Sequence, residues 1–168
     1  RMVAAQVGAL QGVAALAGAK VAYVKAHGAL ANLAADRREV ADAIASAVKA
    51  LPGNLAILAI SGTELEAAGR AAGLPTYSEI FADRAYLPNG RLVPRSRPDA
   101  MVHEAKAAAD RLIGFLDTGL MPVVGGDPIP LAAQSICVHG DSPDAVAMAR
   151  EIRAQLQAAG VVMAPFVR

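Results

Sequence analysis

Hydrophobic residues follow two patterns along this chain. In some segments they recur every three or four residues, which is typical of helices; in others they form short continuous runs, which are typical of buried parallel strands. The first pattern predicts helices over residues 2–18, 36–50, 64–72, 102–117 and 142–159. The second predicts a strand over residues 55–60, and residues 20–25, 76–81, 134–138 and 161–163 are further strand candidates. The helix at 64–72 begins with Thr63 and Glu66, the spacing of a capping box.

Residues 82–100 interrupt this alternation. Three prolines and an Asn89-Gly90 pair lie here, and the pair predicts a small hairpin between 85–87 and 91–93. Because strands and helices otherwise alternate, the sequence predicts an α/β fold with a mostly parallel sheet, either a barrel or an open doubly wound sheet. We expect residues 1–168 to form a single domain.

Composition narrows the class of protein. Hydrophobic residues make up 55% of the chain, which excludes intrinsic disorder. A formal net charge of +1 and 4% aromatic residues argue against a nucleic-acid partner. Charges interrupt every apolar run, so we expect no membrane span. A single cysteine, Cys137, excludes an internal disulfide and a four-thiolate zinc site, and favours a cytoplasmic location.

Reactive side chains are concentrated just beyond the predicted strands. Lys25 and His27 follow the first strand, and His139 and Asp141 follow the strand at 134–138. The carboxyl ends of parallel strands share one edge of a sheet, where α/β enzymes place their active sites. The plain alternatives remain open: His27 as a structural histidine, Lys25 as a solvated charge and Asp141 as a helix cap.

The third strand leads into a further polar group. Glu79 lies within the strand, and Asp83 and Arg84 follow it. Arg95 and Arg97 lie between two prolines, and a stiff loop with two guanidinium groups suits a carboxylate or a phosphate. A purely structural loop is the alternative.

Four segments, in order along the chain, resemble a known family. Residues 24–32 read VKAHGALAN and resemble the VKPHGALYN segment of the LamB/YcsF family, although the proline and the tyrosine are Ala26 and Ala31 here. Residues 79–86 (EIFADRAY), 92–98 (LVPRSRP) and 136–143 (ICVHGDSP) match in the same order, and 6–11 (QVGALQ) fits as well. Members of this family are described as the A subunit of the prokaryotic ATP-dependent 5-oxoprolinase.

The resemblance implies an incomplete (β/α) barrel of the glycoside hydrolase/deacetylase type. It implies cleavage of the lactam of 5-oxoproline to L-glutamate with ATP, accompanied by Mg²⁺, and partner subunits B and C. This chain resembles roughly the last two thirds of the family pattern, so the resemblance implies that the N-terminal strands, with segments like NADLGE and CGFHAGD, are missing. We therefore expect no lactam cleavage by this chain alone.

The resemblance also suggests roles. His27 and His139 are the expected acid–base pair, since imidazole titrates near neutrality. Lys25 is expected to stabilise phosphate or oxyanion charge, and Asp83 to orient a histidine or a water. The remaining residues are expected to bind substrate or phosphate: Glu79, Arg84, Arg95, Arg97 and Asp141.

Two other functions compete with this one. A metal-dependent amidohydrolase or deacetylase would use His27, His139 and Asp141 as ligands, although we assign no metal site. A non-catalytic partner subunit, or a homo-oligomer, would cover the sheet edge that missing strands leave open.

Overall fold

A computed structural model describes residues 1–140 and 144–167 of the chain. Within these residues the helices are α1 (Met2–Leu16), α2 (Gly28–Asp36), α3 (Arg38–Lys49), α4 (Glu64–Ala71), α5 (Ala105–Thr118) and α6 (Ala145–Ala158). The strands are β1 (Tyr23–Val24), β2 (Ala56–Ile60), β3 (Thr76–Phe81), β4 (Leu120–Met121), β5 (Ile129–Pro130) and β6 (Ser135–Cys137).

The main sheet is parallel, in the order β1-β2-β3-β6. Strand β1 pairs with β2 so that Val24 faces Ile57, and β3 pairs with β6 so that Phe81 faces Cys137. Helices connect these strands, as parallel neighbours require. The expected α/β class with parallel strands is confirmed.

Contacts within the chain define two compact units. Unit 1 comprises Arg1–Ser78 and the chain end from Phe166, and unit 2 comprises Glu79–Pro165. The boundary falls inside β3, between Ser78 and Glu79. The expectation of a single domain stays a prediction.

The core of unit 1 lies between β2 and the helices α3 and α4. Its buried side chains are small or aliphatic: Ala34, Ala41, Ile44, Ala45, Val48, Leu55, Ile57, Ala59, Leu65 and Ala68. Helix α1 contributes only partly buried residues, Val3 and Val7, whereas Leu10, Val13 and Leu16 are exposed. The apolar stripe predicted for this helix therefore packs over only part of its length.

In unit 2 the Asn89-Gly90 turn forms as expected. Tyr86 and Leu92 make an antiparallel bridge, and the Leu87 N–H donates to the Arg91 carbonyl over 2.8 Å. Gly90 has a φ of 78°, a conformation that disfavours other residues. The short antiparallel pair of β4 and β5 was not predicted, because two-residue strands leave no periodicity to read.

Two predicted strands differ from the structure, and one helix was not predicted. Residues 161–163 form no strand, and Val162 is 88% exposed, so that prediction is wrong: three apolar residues alone do not specify a strand. The strand predicted over 20–25 is limited to β1, and α2 was missed. Ser142 and Pro143, the predicted start of the last helix, lie outside the described residues.

Candidate active site

An aspartate and a histidine meet at the carboxyl ends of β3 and β6. Asp83 lies two residues beyond β3 and His139 two residues beyond β6, and the register that pairs Phe81 with Cys137 brings both to the same level. Both Asp83 carboxylate oxygens lie 2.9 Å from His139 Nδ1. One of them also accepts the His139 backbone N–H over 3.0 Å. Three contacts thus join the two residues.

These contacts determine which nitrogen of the imidazole can accept a further hydrogen bond. An ionised carboxylate only accepts hydrogen bonds, so Nδ1 carries the proton and Nε2 becomes the acceptor of the neutral ring. The Asp83 side chain is 5% exposed and that of His139 17% exposed. Phe81 stacks on the imidazole with ring centroids 5.4 Å apart and planes 17° apart. The ring is therefore held in one orientation, with Nε2 as its accepting nitrogen.

Arg84, next to Asp83, forms hydrogen bonds with the loop that follows β3. Its side chain is buried and donates to the carbonyl oxygens of Val93, over 2.6 Å, and Ala100, over 3.4 Å. These bonds anchor the proline-rich segment to the end of β3. The expected role of Arg84 in substrate binding stays a prediction.

Arg111 of α5 is a residue that the sequence analysis missed. Its Nη1 donates to the Arg84 carbonyl over 2.7 Å, and its Nη2 donates to the Phe81 carbonyl over 2.9 Å and to the Ala82 carbonyl. Burial lowers the pKa of this guanidinium. The sequence did contain a signal for this residue. Arg111 lies three residues after the buried Ala108, so it is a cation on the apolar face of a helix.

Tyr86 forms a hydrogen bond with the last residue of β3. Its hydroxyl oxygen accepts the Phe81 backbone N–H over 2.9 Å, and its side chain is fully buried. Burial raises the pKa of this phenol above its usual value. Glu79, earlier on β3, is buried and accepts a hydrogen bond from Ser135 over 3.2 Å, so its expected contact with substrate stays a prediction.

The two loop arginines are on the surface of unit 2. Arg97 binds Asp99 through Nε, over 2.9 Å, and Nη2, over 2.5 Å. This pair lowers the pKa of Asp99. An incoming anion would have to displace the Asp99 carboxylate from Arg97. Arg95 is exposed.

Lys25 and His27 lie in unit 1, at the end of β1. Both line a cavity of about 380 Å³, whose other walls are mostly apolar and include Val7, Leu30 and Ile44. His27 occupies the N-cap position of α2 without a capping side-chain bond, and its side chain is exposed. The cavity therefore combines two basic side chains with apolar walls.

The sequence matches the LamB/YcsF family over residues 1–168. The chain belongs to this family. It is 49% identical over 166 residues to the 5-oxoprolinase A subunit of Azorhizobium caulinodans, covering 99% of this chain and 66% of that one. It is 46% identical over 165 residues to the 5-oxoprolinase A subunit of Rhodopseudomonas palustris, covering 98% of this chain and 65% of the relative. This LamB/YcsF chain thus spans slightly less than two thirds of these relatives' length.

A solved structure has the same fold. The lactam utilization protein from Thermus thermophilus superposes with a TM-score of 0.88 at 37% identity, over 98% of this LamB/YcsF chain and 65% of that protein. Three of the four segments that carry the family resemblance have their described residues in unit 2. Asp83 lies in the first, the Arg95 loop in the second and His139 in the third.

One alternative function, a metal-dependent amidohydrolase or deacetylase, requires side chains that bind a metal ion. Among residues 1–140 and 144–167 no group of three or more His, Cys, Asp and Glu side chains is placed to hold a metal ion. Asp141, one expected ligand and expected substrate contact, lies outside those residues. Within the same part of the chain no helix is long and apolar enough to cross a membrane.

Proposed function

We propose that the protein is the A subunit of an ATP-dependent 5-oxoprolinase, which opens the lactam of 5-oxoproline to give L-glutamate. Membership of the LamB/YcsF family and the names of the relatives support this proposal. The observation that carries it is the Asp83–His139 pair, a buried carboxylate bound to an imidazole whose Nε2 accepts. Such a pair is what base-assisted attack of water on an amide needs.

The proposed chemistry begins with activation of the amide. Transfer of the ATP γ-phosphoryl group to the lactam oxygen makes the ring carbon a better electrophile. Water then attacks this carbon while His139 Nε2 takes a proton from it, and Asp83 stabilises the imidazolium that forms. The C–N bond breaks and the nitrogen leaves with a proton, which gives the acyl phosphate of glutamate. A second water then hydrolyses this acyl phosphate, which releases phosphate and leaves the new carboxylate of glutamate.

The other expected residues supply binding and charge. Lys25 is proposed to stabilise phosphate or oxyanion charge and His27 to take part in acid–base chemistry, as the family resemblance implies, and both line the cavity of unit 1. Arg95 and Arg97 hold the substrate carboxylate or the ATP phosphates, with Mg²⁺ accompanying the nucleotide. The relatives are named as one lettered subunit of 5-oxoprolinase, which favours an assembly, and we propose subunits B and C as partners in the cytoplasm.

The test is an assay of the complete protein with subunits B and C, 5-oxoproline, ATP and Mg²⁺, measuring glutamate and phosphate. We expect turnover that requires ATP, and a loss of at least about 100-fold in kcat in His139→Gln. The control is His103→Gln, because His103 is exposed.

Two results would argue against the proposal. Full turnover by His139→Gln removes this histidine from the chemistry. Amide cleavage that needs a divalent metal but no ATP favours the amidohydrolase alternative.

A further inference from the structure

We propose that Arg111 is a positioning residue for the Asp83–His139 pair. It holds the backbone on both sides of Asp83 and supplies a positive charge near this buried carboxylate, so that His139 presents Nε2 to the reacting water. The part of this inference that concerns turnover rests on the proposed function. The part that concerns the imidazole does not.

The contacts of Arg111 enclose Asp83. One guanidinium donates to the carbonyls of Phe81 and Ala82, before the aspartate, and of Arg84, after it. The carbonyl of Asp83 itself accepts the Val102 N–H over 2.9 Å. Four consecutive carbonyls are therefore anchored, three of them by one side chain. A shift of this backbone would move the carboxylate away from His139.

Charge gives Arg111 a second effect. The Asp83 carboxylate is buried, and a buried anion is costly without a compensating cation. Arg111 interacts electrostatically with Asp83 from its half-buried position on α5. The guanidinium thus places a compensating charge near the carboxylate that accepts from Nδ1–H. Loss of the guanidinium removes this charge together with three backbone contacts around Asp83, which favours the other imidazole tautomer.

The shape of the group also matters. A guanidinium is planar and offers donors in fixed directions, so two nitrogens reach three carbonyls here. A lysine ammonium is a point charge on a flexible chain and would retain the charge but lose this geometry. The two substitutions Arg111→Lys and Arg111→Met therefore separate charge from geometry.

The experiment measures the imidazole directly. We would record the ¹⁵N resonances of histidine-labelled protein, assigning His139 among the three histidines with His139→Gln. Wild type is expected to show Nδ1–H with an accepting Nε2. We expect Arg111→Met to show a mixture of tautomers, with kcat for 5-oxoproline reduced about 10- to 100-fold and KM changed little, the size typical of residues that orient a functional side chain. Arg111→Lys is expected to lose several-fold in kcat.

The control is Lys106→Met, because Lys106 lies on the same helix with its side chain 75% exposed. Lys106→Met is expected to change neither the His139 tautomer nor kcat. A folded Arg111→Met with the wild-type His139 tautomer overturns the inference, whatever its turnover. If that variant does not fold, Arg111→Lys decides: wild-type tautomer and wild-type kcat in Arg111→Lys overturn it too. A wild-type complex without turnover removes the proposed function but leaves the NMR comparison valid.

Discussion

At the scale of single residues, the Asp83–His139 pair differs from an ordinary surface ion pair in its burial. Exposed pairs such as Arg38–Asp42, with both side chains about half exposed, contribute little because water screens them. Asp83 is buried, and both of its carboxylate oxygens bind His139. The main effect of the Asp83–His139 pair is therefore to fix the orientation and the tautomer of the His139 imidazole.

This burial leads to a prediction for Asp83→Asn. The amide keeps the shape but offers an N–H toward Nδ1, which favours the wrong tautomer, so we expect kcat to fall on the order of 10³–10⁴-fold while the protein still folds. Steady-state kinetics and circular dichroism check this. Asp110→Asn, an exposed aspartate paired with Lys106, serves as the control. Activity within about tenfold of wild type in Asp83→Asn would contradict the proposed role.

Tyr86 gives a prediction of pH dependence. Its pKa is higher in the folded protein than its usual value of about 10, because burial disfavours the phenolate. The neutral phenol therefore stabilises the fold fully below about pH 10, and this contribution is lost as pH rises above that value. We expect melting temperatures between about pH 8 and pH 11 to fall less steeply in Tyr86→Phe.

Tyr86→Phe should also be less stable at neutral pH, because the Phe81 N–H loses its acceptor. Tyr23→Phe, at a residue that is 42% exposed, keeps Tyr86 and should keep the wild-type slope. Equal slopes in Tyr86→Phe and wild type would show that this phenol does not contribute.

At the scale of elements, α4 shows how a local motif is altered by packing. Thr63 is the N-cap residue, but its hydroxyl donates to the Ile60 carbonyl over 2.7 Å and makes no cap bond. Glu66 accepts from the Gly62 N–H over 2.7 Å and also binds Ser78 and Arg70. The predicted capping box is not formed, because Glu66 binds the residue before the N-cap and is shared with β3.

Gly69 allows α4 to approach β3 closely. A Cβ at this position would lie 2.6 Å from Thr76 Oγ1 and 3.4 Å from Ile57 Cδ1. We expect Gly69→Ala to lower the free energy of unfolding by about 1–2 kcal/mol, because overpacking outweighs the gain in helix propensity. Denaturant unfolding measures this value.

Gly114 on α5 is the matched control. A Cβ there would meet no atom within 4 Å, and the residue is exposed. We expect Gly114→Ala to raise the free energy of unfolding by about 1 kcal/mol through helix propensity alone. Equal effects of the two substitutions would show that the contact with Thr76 does not constrain α4.

At the scale of the whole molecule, the boundary between the two units lies within a single strand. Strand β3 contributes Thr76–Ser78 to unit 1 and Glu79–Phe81 to unit 2. A strand rarely forms in halves, because its residues are ordered together. We therefore expect the two units to unfold together, as the prediction of one domain requires.

Calorimetry tests this with a core substitution in each unit. Ile57→Ala and Leu112→Ala remove side chains that are 1% and 0% exposed, and each should cost about 2–5 kcal/mol. We expect one transition that shifts as a whole in both variants, with equal calorimetric and van't Hoff enthalpies. Two transitions, each moved by only one substitution, would contradict the single domain.

The sequence alone predicted features that depend on local pattern. An apolar run identified β2, and Asn89-Gly90 identified the hairpin turn, because backbone conformation there depends on neighbouring residues. The placement of Asp83 and His139 beyond parallel strands was also readable, since parallel strand ends share an edge. The roles of Lys25 and His27 stay predictions.

Tertiary structure decided the partners of these residues. Asp83 and His139 are 56 positions apart, and Arg111 is 27–30 positions from the carbonyls that it binds. No periodicity encodes such pairings, because they depend on strand register and on how α5 packs. The same reason explains the shared Glu66, and the failure of residues 161–163 to form a strand: an apolar run becomes a strand only where the fold supplies a neighbour.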